Sequence, residues 1–118
     1  MEREGKGRLD PRVAAKLRVD VEYPPRGDAW TRAESIDLSA SGVYVRCGQT
    51  LPLKSQVGCR VFLPASGAEE DNLVDTQAVV VRVDLPETGS KEWRYGLYFL
   101  NLEERDLEAI RRFVFSSM

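Results

Sequence analysis

Three stretches of this chain alternate apolar and polar residues with a period of two, and that restricts its fold more than any other feature. Leu17, Val19, Val21 and Tyr23 share one phase while Lys16, Arg18, Asp20 and Glu22 take the other. Val57, Cys59, Val61 and Leu63 repeat the pattern against Gly58, Arg60 and Phe62, and Trp93, Tyr95, Leu97 and Phe99 repeat it against Arg94, Gly96 and Tyr98. Successive side chains of a strand point to opposite faces, so this alternation predicts strands with one buried face. Three further strands are predicted: 29–36, with Trp30, Thr31 and Ile36 as its best β-formers, then 43–47, then the valine-rich 73–84, long enough to bend around a barrel. Turn chemistry separates them, in Pro24-Pro25-Arg26-Gly27-Asp28, in a loop carrying Pro52, in an acidic loop with Glu69-Glu70-Asp71, and at 86–91.

After the last strand the period changes. Leu107, Ile110 and Val114 fall at helical spacing with Phe113 beside them, and Asn101 followed by Glu104 matches a capping box. The prediction is a mainly β chain, a six-stranded antiparallel β-barrel with one C-terminal α-helix at about 102–116. Closure would remove the exposed strand edges, and the helix would plug one end or cover a seam. The barrel domain is predicted to occupy 13–118. Before it, residues 1–12 (MEREGKGRLDPR) contain no apolar cluster to bury and predict a mobile arm.

Several function classes drop out. The chain of 118 residues has no histidine, so no Ser-His or Cys-His pair can form, and no Walker lysine motif, GxGxxG or GxSxG is present. An enzyme is not expected. Cys47 and Cys59 lie on the apolar phase of their strands, which predicts reduced core residues and no metal site. With 17 Lys plus Arg against 19 Asp plus Glu, the net charge of −2 argues against DNA or RNA as partner, as does the lack of an aromatic, basic strand face. No apolar run nears the length of a membrane span and no apolar stretch follows the charged N-terminus, so a cytoplasmic protein is expected. The charge is uneven: Arg3, Lys6, Arg8, Arg12, Lys16 and Arg18 face only Glu2, Glu4 and Asp10 within residues 1–18, a local attractor for anions. Trp30 and Trp93 read as packing residues and not as stacking platforms.

The polar stretch 37–42, between Ile36 and Val43, combines Asp37, Ser39, Ser41 and Gly42 in a predicted tight turn. It offers an acceptor, two hydroxyls and a bare backbone that a ligand can approach closely. On composition alone a structural turn is the plainer reading. Arg8 and Arg12, four positions apart in the arm, add complementary chemistry. Guanidinium binds phosphate bidentately, donates to the O6/N7 edge of guanine and stacks on purines, while a carboxylate such as Asp37 accepts from guanine N–H groups. Phosphate together with guanine describes a guanine nucleotide.

Arg8-x-x-x-Arg12, then 24 residues, then Asp37-x-Ser39-x-x-Gly42 resembles the two-part signature of PilZ domains. The strand count, the Tyr95-Gly96-Leu97-Tyr98-Phe99 strand and the final helix extend the resemblance over nearly the whole chain. It implies a six-stranded barrel that binds the bacterial second messenger cyclic di-GMP, with no other cofactor. Arg8 and Arg12 would grip phosphate and guanine from the loop before the first strand, and Asp37, Ser39 and Gly42 would form the barrel side of the site. Lys6, Arg18 and Ser41 are auxiliary candidates. The expected function is that of a single-domain cyclic di-GMP receptor or adaptor that orders its N-terminal arm on binding and signals to an unidentified downstream protein. The alternative is a PilZ-type protein-interaction module that does not bind nucleotide; the intact arginine pair argues against it.

Overall fold

The computed structural model describes residues 10–64 and 72–118. Seven strands precede one helix: β1 (Arg12–Ala14), β2 (Arg18–Glu22), β3 (Thr31–Ser39), β4 (Gly42–Cys47), β5 (Gln56–Leu63), β6 (Asn72–Asp84), β7 (Trp93–Leu100) and α1 (Glu104–Ser116). They form one antiparallel sheet in the order β1-β3-β2-β5-β6-β7-β4, and β3 also pairs with β4. That last pairing closes β2 to β7 into the predicted six-stranded barrel. β1 is a short addition to β3, placing Arg12 opposite Ser39, Val13 opposite Leu38 and Ala14 opposite Asp37.

The predicted first strand, 13–23, is therefore two strands, and the cause is a single hydroxyl. Ser35 donates through Oγ to the Ala15 carbonyl at 2.5 Å and accepts from the Leu17 amide at 2.8 Å. These bonds satisfy the backbone where the chain leaves one ladder and enters the next. β3 is irregular between Ser35 and Asp37 at the same level, so the residue after Ile36 is turned out of its expected phase.

Every strand of the barrel sends its apolar phase inward. Val19, Val21, Val45, Val57, Val61, Val74, Val80 and Leu97 are all but fully buried. On the helix, Ile110 and Val114 join the same core, one turn apart, and each contributes about 1.5–3 kcal/mol through burial. Cys47 and Cys59 are buried and unpaired, and burial pushes the Cys59 thiol up to about 12. Trp30 packs on Gly58, where an added Cβ would come within 2.9 Å of its ring, and beneath the Arg60 guanidinium, 4.0 Å from the ring centre. Trp93 is more exposed, at the start of β7.

Three local expectations are corrected. The face of β2 opposite its apolar phase is solvated only at Arg18: Asp20 and Glu22 are 7% and 2% exposed. Glu22 is buried because its carboxylate accepts the amides of Gly27, Asp28 and Ala29 at 2.5, 2.6 and 2.7 Å, closing the turn after β2. The capping box at Asn101 does not form. Asn101 has φ +53° and Glu103 occupies the cap position without a side-chain bond, while Glu104 and Asp106 face the positive end of the helix dipole. The polar turn is also shorter than predicted. β3 runs through Ser39 and β4 starts at Gly42, leaving Ala40-Ser41 between them. Among the described residues, no helix is long and apolar enough to cross a membrane.

Candidate functional site

Two features of β3 decide where the polar signature points. The irregularity after Ser35 sets Asp37 opposite Tyr44 of β4, and β1 lays Arg12 beside the same stretch. The Arg12 Nε stands 3.7 Å from the Asp37 Oδ1, with the two side chains 58% and 23% exposed. Burial pushes the Asp37 carboxyl above its ordinary range, and the guanidiniums of Arg12 and Arg82 oppose this without cancelling it. Asp37 is thus a partly desolvated acceptor whose ion-pair partner among the described residues is Arg12.

Next to it the β3–β4 turn is braced from inside. Ser39 is 1% exposed. Its Oγ lies 3.2 Å from the Ser41 Oγ, donates to the Gly42 carbonyl at 3.4 Å and accepts from the Ser41 amide at 3.3 Å. Asp10 clasps the turn from outside, accepting from the Ala40 amide at 3.1 Å and from the Ser41 hydroxyl. Because Asp10 lies between the two signature arginines in sequence, this clasp ties the first half of the signature to the second.

Gly42 has a packing reason of its own. A Cβ there would sit 2.3 Å from the Leu97 carbonyl oxygen, so β4 and β7 could not approach as they do. Strand packing thus demands a glycine here whether or not a ligand also approaches its backbone.

Arg12, Asp37, Ser41 and Gly42 meet in one cleft on the outside of the barrel, completed by Tyr44, Arg82 and Tyr98. The cleft holds about 130 Å³, well short of the roughly 300–1,000 Å³ of a site that encloses a small molecule. The described residues therefore form an open cleft that does not by itself enclose a small molecule. Arg8 and Lys6 lie outside the described residues. Arg18 is elsewhere: its guanidinium pairs with Asp20 at 3.0 and 2.9 Å and lies over Phe62, 4.5 Å from the ring centre. Of the predicted arm, residues 1–9 lie outside the described residues, and Asp10 to Arg12 are laid against the barrel.

Sequence reasoning passed over Asp10, Tyr44, Arg82 and Asp84. The Tyr44 hydroxyl donates to Asp84 Oδ2 at 2.5 Å, and the Arg82 Nε is 2.6 Å from the same oxygen. The bond from Tyr44 and the two nearby arginines hold the Asp84 carboxyl below its ordinary range, while burial and the Asp84 partner raise the Tyr44 phenol. A faint signal existed, since Arg82 interrupts a run of valines.

The sequence model of the PilZ domain matches residues 6–116. No curated protein matches the chain. Among solved structures, the inhibitor of motility MotI/DgrA of Bacillus subtilis superposes with a TM-score of 0.78 at 20% identity, over 98% of this chain and 51% of that one. This chain thus spans about half the length of that protein. The PilZ domain of YcgR from Escherichia coli, solved with c-di-GMP, gives 0.67 at 15% identity, covering 98% of this chain and 92% of that one. The PilZ domain of CeSA from a cellulose-synthesizing bacterium gives 0.59 at 19% identity, over 90% and 96%.

Proposed function

This chain belongs to the PilZ domain family of binding modules, and we propose that it is a receptor for cyclic di-GMP. The observation that supports this most directly is the convergence of Arg12 and Asp37 at 3.7 Å on one side of an open cleft. A guanidinium supplies charge-assisted bonds to phosphate or to the guanine O6/N7 edge. The adjoining carboxylate accepts from guanine N1–H and N2–H. Among the described residues Asp37 has Arg12 as its ion-pair partner at 3.7 Å, and the N–H groups of a guanine would give it hydrogen bonds that this contact does not.

The cleft is one wall, and on this reading Arg8 brings the other. Asp10 holds the chain at the β3–β4 turn, two residues from Arg8. The ligand then fixes Arg8 and Leu9 next to an existing anchor, at roughly 1–2 kcal/mol per ordered residue. Ser39 contributes as a brace beneath the turn. The surface made by the ordered segment and the bound nucleotide is what a downstream protein would recognise, since a ligand shifts a state only through differential affinity for it.

Titration calorimetry with cyclic di-GMP, against GTP and cyclic di-AMP, tests the ligand. Saturable binding of cyclic di-GMP is expected, with much weaker heats for the other two; equal binding of cyclic di-AMP would remove the guanine argument. Hydrogen exchange tests the ordering. Amides of residues 6–9 should gain protection on binding while Asp37 to Gly42 change little. Ligand-independent protection at 6–9 would remove the ordering step and leave the receptor reading standing.

A further inference from the structure

We infer that Arg82 is a third nucleotide-gripping guanidinium, presented from the barrel wall to take a phosphate of the ligand; this rests on the receptor reading above. The signature accounts for the arm and the β3–β4 turn, and it assigns nothing to β6. Yet Arg82, from β6, lines the same cleft as Arg12 and Asp37, and its charge is close enough to lower the Asp37 carboxyl's affinity for its proton.

Its placement is built by four features. The β6–β7 ladder is irregular between Val80 and Arg82, so Arg82 falls opposite Gly96 and out of the inward phase. Gly96 leaves room for the stem: an added Cβ there would lie 3.0 Å from the Arg82 Cβ. The guanidinium carbon stands 4.9 Å from the centre of the Tyr44 ring, within cation–π range. Asp84 takes the Nε at 2.6 Å, and the same Asp84 oxygen accepts the Tyr44 hydroxyl at 2.5 Å. One edge of the guanidinium is thereby anchored. The terminal nitrogens have no hydrogen-bond partner among the described residues, although the side chain is 60% exposed beside the cleft.

An arginine held through Nε and open at its terminal N–H groups is a preorganised fork. The rotamer entropy that binding would otherwise cost is already spent on Asp84 and Tyr44. Phosphate is the fitting occupant. Asp37 would supply the acceptor for a guanine edge, and a second guanidinium lining the same cleft as Arg12 complements the anionic part of the same nucleotide. Asp84 is a positioning residue in this arrangement, acting through Arg82.

Calorimetric titration with cyclic di-GMP of the wild type, Arg82→Ala, Arg82→Lys and Asp84→Asn decides the matter. Arg82→Ala should weaken binding roughly 10- to 100-fold, the size of a charge-assisted bond, at unchanged melting temperature. Arg82→Lys should recover part of this, because phosphate still meets a positive charge. Asp84→Asn should weaken binding several-fold in the wild type and not at all in Arg82→Ala, the non-additivity of a residue acting through its neighbour. Wild-type affinity in Arg82→Ala would overturn the assignment while the receptor reading stood. Full wild-type affinity in Arg82→Lys would overturn the guanidinium fork as the gripping group. Failure of the wild type itself to bind would overturn the receptor reading, and this inference with it.

Discussion

Glu22 and Asp37 are carboxylates on strands of the same barrel, and they are treated in opposite ways. Glu22 accepts three backbone amides at 2.5–2.7 Å. Burial pushes its carboxyl up, but the amides of Ala29, Gly27 and Asp28 together outweigh that and hold it below the ordinary range. Asp37 has one arginine at 3.7 Å, and burial keeps its carboxyl raised. The first is saturated by its own chain and serves the fold. The second is positioned and partly dried, and among the described residues it has only the Arg12 contact, which leaves capacity for a ligand. What separates the two acids is the number of hydrogen bonds that each accepts from the described residues.

The sharpest way to break this contrast is at the partner of Asp37. Arg12→Ala should weaken cyclic di-GMP binding by about 2–4 kcal/mol, with a melting temperature close to that of the wild type, because the side chain is mostly exposed. Unfolding of this variant would make Arg12 a structural residue and remove the contrast. Next comes Gly42→Ala, which is expected to cost about 1–3 kcal/mol of stability as β4 and β7 are forced apart. Denaturant unfolding should show the loss without any ligand present. A fully stable Gly42→Ala that had lost binding would return Gly42 to the ligand side.

Smaller effects should separate the two acids directly. Glu22→Gln should lower the melting temperature by several degrees, roughly the effect of about 1 kcal/mol in a domain of this size, and leave calorimetric affinity intact. Asp37→Asn should do the reverse, weakening binding about tenfold while thermal stability holds or rises slightly. Acid titration of the denaturation midpoint gives the smallest effect. The Glu22 carboxyl is lowered by folding, so its contribution is whole above the unfolded value, about 4.3, and is lost as pH falls through the folded value. The Asp37 carboxyl is raised by folding, so it withholds stability at neutral pH and returns it as pH falls through its folded value. The gap between wild type and Glu22→Gln should therefore narrow in acid from a deficit, and that for Asp37→Asn from parity or a small surplus.

Much of the barrel was legible because alternation is a local property. Val57 to Leu63 and Trp93 to Phe99 must expose one face and bury the other whatever surrounds them, and α1 announces itself by Leu107, Ile110 and Val114. Where the reading failed, a partner distant in sequence had intervened. The break between β1 and β2 depends on Ser35, some twenty residues away. The burial of Glu22 depends on a turn that folds back over it. The capping box at Asn101 had the right residues, yet the backbone there turned left-handed and the helix started later.

The same division runs through the site. Side-chain chemistry together with the resemblance to the PilZ signature already paired Arg12 with Asp37 as an expected site, because guanidinium and carboxylate chemistry is intrinsic to the side chain and the order of motifs is written along the chain. Only the tertiary structure decided the rest. It buried Ser39 as a brace, packed Gly42 against the Leu97 carbonyl, engaged Arg18 with Asp20 on another part of the barrel, and brought Arg82, paired with Asp84, into the cleft that Arg12 lines. The reason is that a side chain's chemistry is local, whereas the hydrogen bonds it has left to give depend on which neighbours closure of the barrel places within about 3 Å of it.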